Sequence, residues 1–423
     1  MLFWTVIAIV TSHEVIPQHS LLFQQLKEPY LSTLRTAILK APLPHQTIQA
    51  LTYLIVWPLP AEKQSHDATW LYCGVAINAA LYMGLHHSKP TQSFRSIGMH
   101  VGVPPSVNGT TELATIESFV RNYPIPSEFA YQVMVHHILA RFTKVVLENS
   151  QEVVGHSLVK LIDSELDSLK TRYPTPYTTR VETAVLIAKL HLYTMTIIRI
   201  QMDLTTREIL LKSGFSTALR IVYILDQGGL AYRPTEYQHL TSESLQRTVP
   251  KNYYRALVLA TIFLLRFFAL NIHALPEEQE IARNHVAMAQ RYLKAGSMSK
   301  GDERSRAASL LEMLSRQKPV DVDHTKLRID DRMGASLVYD AITTGHELRN
   351  LNPEVEEESP SGHNMPAPPI PPAEDMAQVD LDGVANMNMF GDQLDFSLPD
   401  DLWGDSVWGM FGGFAPNGPG MYQ

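Results

Sequence analysis

The chain has 423 residues, 45% of them hydrophobic, and a formal net charge of -8, which is length enough for a large core and for two or three domains at about 100–200 residues each. Its one cysteine, Cys73, excludes an internal disulfide framework and a cysteine-built zinc site, and it fits a reducing compartment such as cytosol or nucleus. The charge is lopsided: 13 acidic residues and no Lys or Arg lie from Glu354 onward, leaving a body with 35 basic against 30 acidic residues, too weakly basic for a nucleic-acid footprint.

The first ten residues, Met1 to Val10, are almost wholly apolar, with no basic region before them and no small-residue cleavage site. The run is too short to span a bilayer, so it predicts a buried helix rather than a signal peptide. Leu22, Leu26, Tyr30, Leu34 and Ile38 form an i, i+4 series across Leu21 to Leu39, which predicts a helix kinked or divided at Pro29. Pro42 and Pro44 stop it, and a second helix over Gln46 to Val56 is closed by Trp57-Pro58-Leu59-Pro60.

The stretch from Asp67 to His87 is apolar on nearly every face from Trp70 onward. That pattern predicts a helix buried all round, the central core helix of the body, about 16 residues and about 24 Å long. Asp67 or Thr69 supplies an N-cap. Gly74 is costly there unless another backbone comes close, and Gly84 suits a left-handed C-terminal cap.

Further helices are expected over Phe129 to Leu147, Val153 to Leu169, Val181 to Leu211, and Ala218 to Leu225, the last ending at Gly228-Gly229. Tyr253 to Leu275 is the most hydrophobic segment, but Arg255, Arg266, Asn271 and His273 favour a buried core helix over a membrane span. Glu277 to Lys294 and Arg304 to Arg316 read as surface helices with charged faces. No alternating strand pattern of useful length occurs, so the expected fold class is all-α, a large helical domain followed by a disordered acidic tail.

Catalytic chemistry finds little support. There is no phosphate loop, dinucleotide fingerprint or His-Glu-x-x-His helix. Gly214-Phe215-Ser216-Thr217-Ala218 lacks the second glycine and the preceding strand of a nucleophile elbow, and it is expected to be a helix start. His86-His87 and His136-His137 are adjacent pairs, which point to different helix faces and make poor shared ligands. Asn108-Gly109-Thr110 is a glycosylation sequon that needs a secretory route. No catalytic or metal-binding residue is assigned.

Beyond Leu351 the composition changes. An acidic and proline-rich linker over 352–379 favours extended polyproline II and cannot pack a core. From Asp380, acidic residues alternate with Phe390, Leu394, Phe396, Leu402, Trp403, Trp408 and Phe411. Acidic-hydrophobic alternation is the composition of activation segments, so 380–423 is expected to bind coactivator machinery.

Three stretches carry a resemblance. Trp70, Gly74, Ala76, Gly84, Leu85 and His86 match the signature helix of the middle homology domain of fungal zinc-binuclear-cluster transcription factors. Thr47 to Leu51 with Trp57 to Pro60, and Arg332 to Asp340, fit the same domain. The resemblance spans 1–351 and is nearest to the leucine-pathway regulators. It implies an all-α regulatory domain responsive to a metabolite effector, nuclear localisation, and action on RNA polymerase II transcription of metabolic genes, with no membrane partner.

It also implies that DNA contact and zinc belong to a six-cysteine N-terminal module absent here, so the chain is expected to be N-terminally incomplete. The family's helix near 102–103 is missing as well, because Gly102 runs straight into Val103-Pro104-Pro105. The alternative is an all-α small-molecule or lipid-binding protein, or a helical enzyme, without a DNA role. The activating tail and the lack of a catalytic constellation favour the regulator.

Overall fold

Apolar spacing in the body is helical, and helices are what form. The computed structural model describes residues 1–13, 19–61, 66–82, 110–148, 156–174, 176–199, 204–230, 241–299, 301–318, 327 and 333–351. Among them are fourteen α-helices and no strand, so the fold is all-α. In chain order these are α1 (Leu2–Ser12), α2 (Ser20–Ile38), α3 (His45–Val56), α4 (Thr69–Tyr82), α5 (Thr110–Asn122), α6 (Ser127–Glu148) and α7 (His156–Arg172). Then follow α8 (Thr179–Arg199), α9 (Leu204–Asp226), α10 (Ser242–Arg247), α11 (Lys251–Leu264), α12 (Pro276–Gly296), α13 (Glu303–Ser315) and α14 (Ser336–Leu351). A π-helical turn, Leu265–Ala269, extends α11, and a 3-10 turn, Met333–Ala335, precedes α14.

Two hydrophobic cores form. The larger gathers residues from α5 to α14, with α8 and α11 at its centre. Helix α8 buries an almost unbroken run from Val181 to Ile198, and α11 does the same from Ala256 to Leu264. Helix α8 packs against α6, α7 and α9, whereas α11 packs against α9, α12 and α14. Helix α8, and α11 taken together with its π-helical turn to Ala269, are long and apolar enough to cross a membrane, but 83% and 78% of their apolar windows lie inside the protein. The core placement expected for Tyr253 to Leu275 is therefore found as far as Ala269, whereas Ile272 and Leu275 lie beyond the helix and are exposed. Phe263 of α11 is fully buried and meets Phe267 edge-on at 4.8 Å.

The smaller core joins α1 to α4 through Ala8, Tyr30, Leu34, Ile48, Leu51, Leu54 and Ala76. Here the expectations need correction. Helix α4 is not buried all round: of residues 69–80 only Thr69, Cys73 and Ala76 are buried, and Leu71 is 60% exposed. Nor does a backbone among the described residues crowd Gly74, where an added Cβ would meet none of their atoms within 4 Å. An open depression of about 520 Å³ beside it is lined by Pro42, Trp70, Leu71, Val75 and Ala79. Apolar pattern tells how much surface a helix can bury, but burial itself needs neighbours, and α4 packs chiefly on α3.

Helix α1 forms as expected but is likewise half-covered. It turns Thr5, Ala8, Thr11 and Ser12 inward and leaves Phe3, Trp4, Val6 and Val10 exposed. The inward polar groups are satisfied locally, Thr5 by the Tyr30 hydroxyl at 2.8 Å and Thr11 by the Ile7 carbonyl at 2.8 Å, so their burial costs little.

Other boundaries shift too. Pro29 does not divide α2, which runs unbroken through it. The run over Val181 to Leu211 separates into α8 and α9, and Ala218 to Leu225 is the end of α9 rather than a helix of its own. Gly214 to Ala218 is accordingly helix interior, not a helix start. The stop at Gly228 is as expected, its φ of 66° being a conformation glycine adopts without a Cβ penalty. Residues 83–109, with Gly84, Leu85, His86 and the junction at 102–103, lie outside the described residues, as does everything after Leu351.

Candidate functional site

The two cores share no hydrophobic residue; polar side chains join them at the start of α11. Lys251 and Arg255 are four apart, which places both cations on one face of its first turns. That end of a helix is already positive, so two cations there need carboxylates. Asp67 supplies one from the N-terminal side: its Oδ1 accepts from the Thr69 N–H at 3.0 Å, anchoring the start of α4, while Oδ2 pairs with Lys251 and lies 3.5 Å from Arg255 Nη2. Asp67 thus bonds the first amide of α4 from one residue before the cap position, where the Ala68 carbonyl opens the helix, and it also ties α4 to the larger core.

Glu303 supplies the other carboxylate from the first turn of α13, where a negative charge suits the helix dipole. It lies 3.1 Å from Lys251 Nζ and accepts from Arg255 Nε at 2.8 Å and from the Tyr254 hydroxyl. All four charged side chains are between 8% and 14% exposed. Burial alone would raise both carboxyl pKa values, but the Lys251 and Arg255 charges more than offset it. Asp67 is held well below the usual carboxylate range and Glu303 near about 2. Burial, with Glu303 adding to it, pushes the Tyr254 phenol well up, so it stays protonated and donates.

Two further contacts bring the other resembling segments to the same helix. Trp57 Nε1 donates to the Thr248 carbonyl at 3.0 Å, just before α11. Beyond its far end, Asp340 of α14 is buried and lies 3.7 Å from Arg266. Gly334 lets that segment approach α8 closely, since a Cβ there would collide with the His191 ring. Each segment therefore latches onto α11 or its flank.

Beside the charge cluster lies a cavity of about 90 Å³. Trp57, Pro58, Leu59 and His13 form its wall from the smaller core, and Val249, Asp302, Arg304 and Arg306 form the wall from the larger. His13 is held down to about 4 by burial and the nearby Arg304 charge, so it is neutral at ordinary pH. This arrangement can hold two helical layers together and admit a small ligand between them.

Of the signature residues, Ala76 is fully buried in the smaller core, while Trp70 and Gly74 are half-buried along the open depression. None of these three lines the cavity. Gly84, Leu85 and His86, and Phe390, Leu394, Phe396, Leu402, Trp403, Trp408 and Phe411 of the tail, fall outside the described residues. Cys73 is buried, its thiol pushed up to about 12 by desolvation, which suits packing rather than nucleophilic or ligand chemistry. No group of three His, Cys, Asp or Glu able to hold a metal ion occurs among the described residues. Sequence reasoning missed Lys251 and Glu303; the available signal was the i, i+4 pair of cations opening the most apolar run, which calls for buried carboxylates.

No family model matches the chain, and no solved structure matches it. Over 86 residues, 20% of this chain and 9% of the relative, it is 35% identical to the transcriptional regulatory protein SEF1 of Candida albicans. Over 42 residues, 10% of this chain and 6% of the relative, it is 43% identical to the transcriptional activator of proteases prtT of Aspergillus fumigatus. The matched stretches thus span less than a tenth of the length of these curated relatives. What the chain is similar to, over those stretches, is fungal transcription regulators.

Proposed function

We propose that the chain is a fungal transcription regulator in which the helical body, 1–351, controls an activating tail, 380–423, across a linker at 352–379. The carrying observation is the partial likeness to two fungal transcription regulators, one of them a transcriptional activator of proteases. The tail adds support, since it sets two tryptophans and four phenylalanines among acidic residues with no Lys or Arg. Charge repulsion keeps such a segment solvated while its aromatic groups remain available to a partner's groove.

In this reading the protein works in the nucleus on RNA polymerase II transcription of metabolic genes, as a member of the zinc-binuclear-cluster class near its leucine-pathway branch. The tail engages coactivators, and a metabolite effector acts on the body. The class's six-cysteine zinc module cannot be built from a chain with one cysteine, so residues 1–423 alone give no sequence-specific DNA binding. The relatives are regulators and not enzymes, and no role in catalysis is proposed.

The test is a reporter assay with residues 354–423 fused to an unrelated DNA-binding module. Strong activation is expected, and replacing Phe396, Trp403, Trp408 and Phe411 with alanine should remove most of it at unchanged charge. Full activity in the aromatic-free version refutes the activating role. Restoring residues 1–353 to the fusion should make the output depend on nutrient conditions.

A further inference from the structure

We propose that the cavity between the two cores binds a compact oxyanion, a carboxylate or a phosphate group, and that its occupancy clamps the smaller core onto the larger. The proposal deepens the metabolite-effector reading by giving the effector a place and a charge.

Space is the first requirement. A volume of about 90 Å³ is well above the roughly 10–15 Å³ that admits one water.

Charge is the second. Among the described residues, the carboxylates in the wall are already engaged. Asp67 and Glu303 are taken by Lys251 and Arg255. Asp302 caps α13, accepting from the Ser305 N–H at 2.7 Å, and it also accepts from the N–H groups of Met298 and Ser299. Arg304 is different. It is only 8% exposed, and among the described residues its guanidinium meets neutral groups: the Gly296 carbonyl at 3.4 Å, the Gln246 carbonyl at 3.1 Å and the face of Tyr254 at 4.9 Å. A buried cation faced only by dipoles is costly, and an anion in the adjoining cavity is the partner that relieves it. The planar guanidinium fork suits a carboxylate or phosphate, which it can hold by two parallel hydrogen bonds.

Position is the third. A ligand seated there touches Trp57 and Leu59 of one core and Arg304 and Val249 of the other. Anything that binds only while both walls are in place stabilises their union by mass action.

The experiment follows thermal unfolding of the purified full chain at constant ionic strength. Sodium chloride is replaced stepwise by inorganic phosphate in one arm and by acetate or malonate in another. A saturable rise in midpoint of about 2 °C or more is expected in at least one arm, and the responding arm identifies the group. Because phosphate also stabilises proteins by exclusion from their surface, the decisive comparison is with Ala61→Glu: Ala61 also lines the cavity, so the substitution tethers a carboxylate to its wall and should abolish the saturable rise. Arg304→Gln should abolish it too; if that variant fails to fold, Ala61→Glu decides alone. No rise beyond the chloride control, or an equal rise in wild type and Ala61→Glu, overturns the proposal. The measurement needs no transcription, so its failure and the failure of the reporter assay are separate results.

Discussion

Helices α8 and α4 are both apolar on almost every face, yet α8 buries fifteen of its 21 residues and α4 leaves a leucine 60% exposed. The larger core surrounds α8 with three helices, whereas the smaller core gives α4 chiefly one. The difference teaches that a helix's own sequence sets its capacity for burial and its neighbours decide how much is used. It also moves the centre of the molecule. Of the signature residues, Ala76 sits in the smaller core, and the larger is organised by α8 and α11. Where the two meet, a buried ion cluster joins them, beside the Trp57–Thr248 hydrogen bond.

That joint gives the largest expected effect. Lys251→Ala removes one of two cations that neutralise Asp67 and Glu303, all three being nearly buried. Breaking a buried ion pair in this way costs about 3–5 kcal/mol, read as a lowered urea midpoint. A loss below about 1 kcal/mol would show the joint to be solvated, with a value typical of a surface pair.

Acid probes the same joint a little more gently. The Glu303 pKa is lowered from 4.5 to about 2 in the folded protein, so its contribution is fully present above the unfolded value and is lost as pH falls from about 4.5 toward 2. At neutral pH that contribution is of the order of 3 kcal/mol. In urea titrations, the stability gap between wild type and Glu303→Gln should narrow steadily between pH 5 and pH 3, in the acid range named by that shift. A gap independent of pH there would mean that the carboxylate is not ion-paired.

Gly214 tests the tightness of the larger core. It lies inside α9, and an added Cβ would collide with the fully buried Phe263 ring. Gly214→Ala should therefore destabilise by about 1–3 kcal/mol through overpacking, although the same exchange in an open helix interior would stabilise by about 0.5–1 kcal/mol. A stabilised variant would show that the ring can yield.

Much of the architecture was legible because it rests on local signals. The spacing of Leu51, Leu54 and Ile55 marks α3, and the unbroken run from Ala256 marks α11, since each fixes which face can be apolar. Gly228 marks the end of α9 for a similarly local reason. The joint was not legible. Asp67 could be seen as a cap from its neighbours, but its ionic partner is 184 residues away, and no periodicity reports a contact at that separation. The exposed faces of α1 and α4 escaped for the complementary reason: Phe3, Trp4 and Leu71 look like core residues in any pattern that counts apolar side chains without asking what packs on them.

Leu71 gives the smallest expected effect and the sharpest test of the contrast between the cores. It projects from α4 at 60% exposure beside the open depression, so Leu71→Gln removes little buried area and should change stability by no more than about 0.5 kcal/mol. Fully burying a leucine is worth about 1.5–3 kcal/mol, and that interval separates the outcomes. A near-neutral result in urea unfolding keeps α4 an edge helix whose outer face is open in solution. A loss above about 1.5 kcal/mol would instead mean that something packs on that face in solution. The smaller core would then be as fully enclosed as the larger, and the apolar pattern of Asp67 to His87 would have reported its burial correctly.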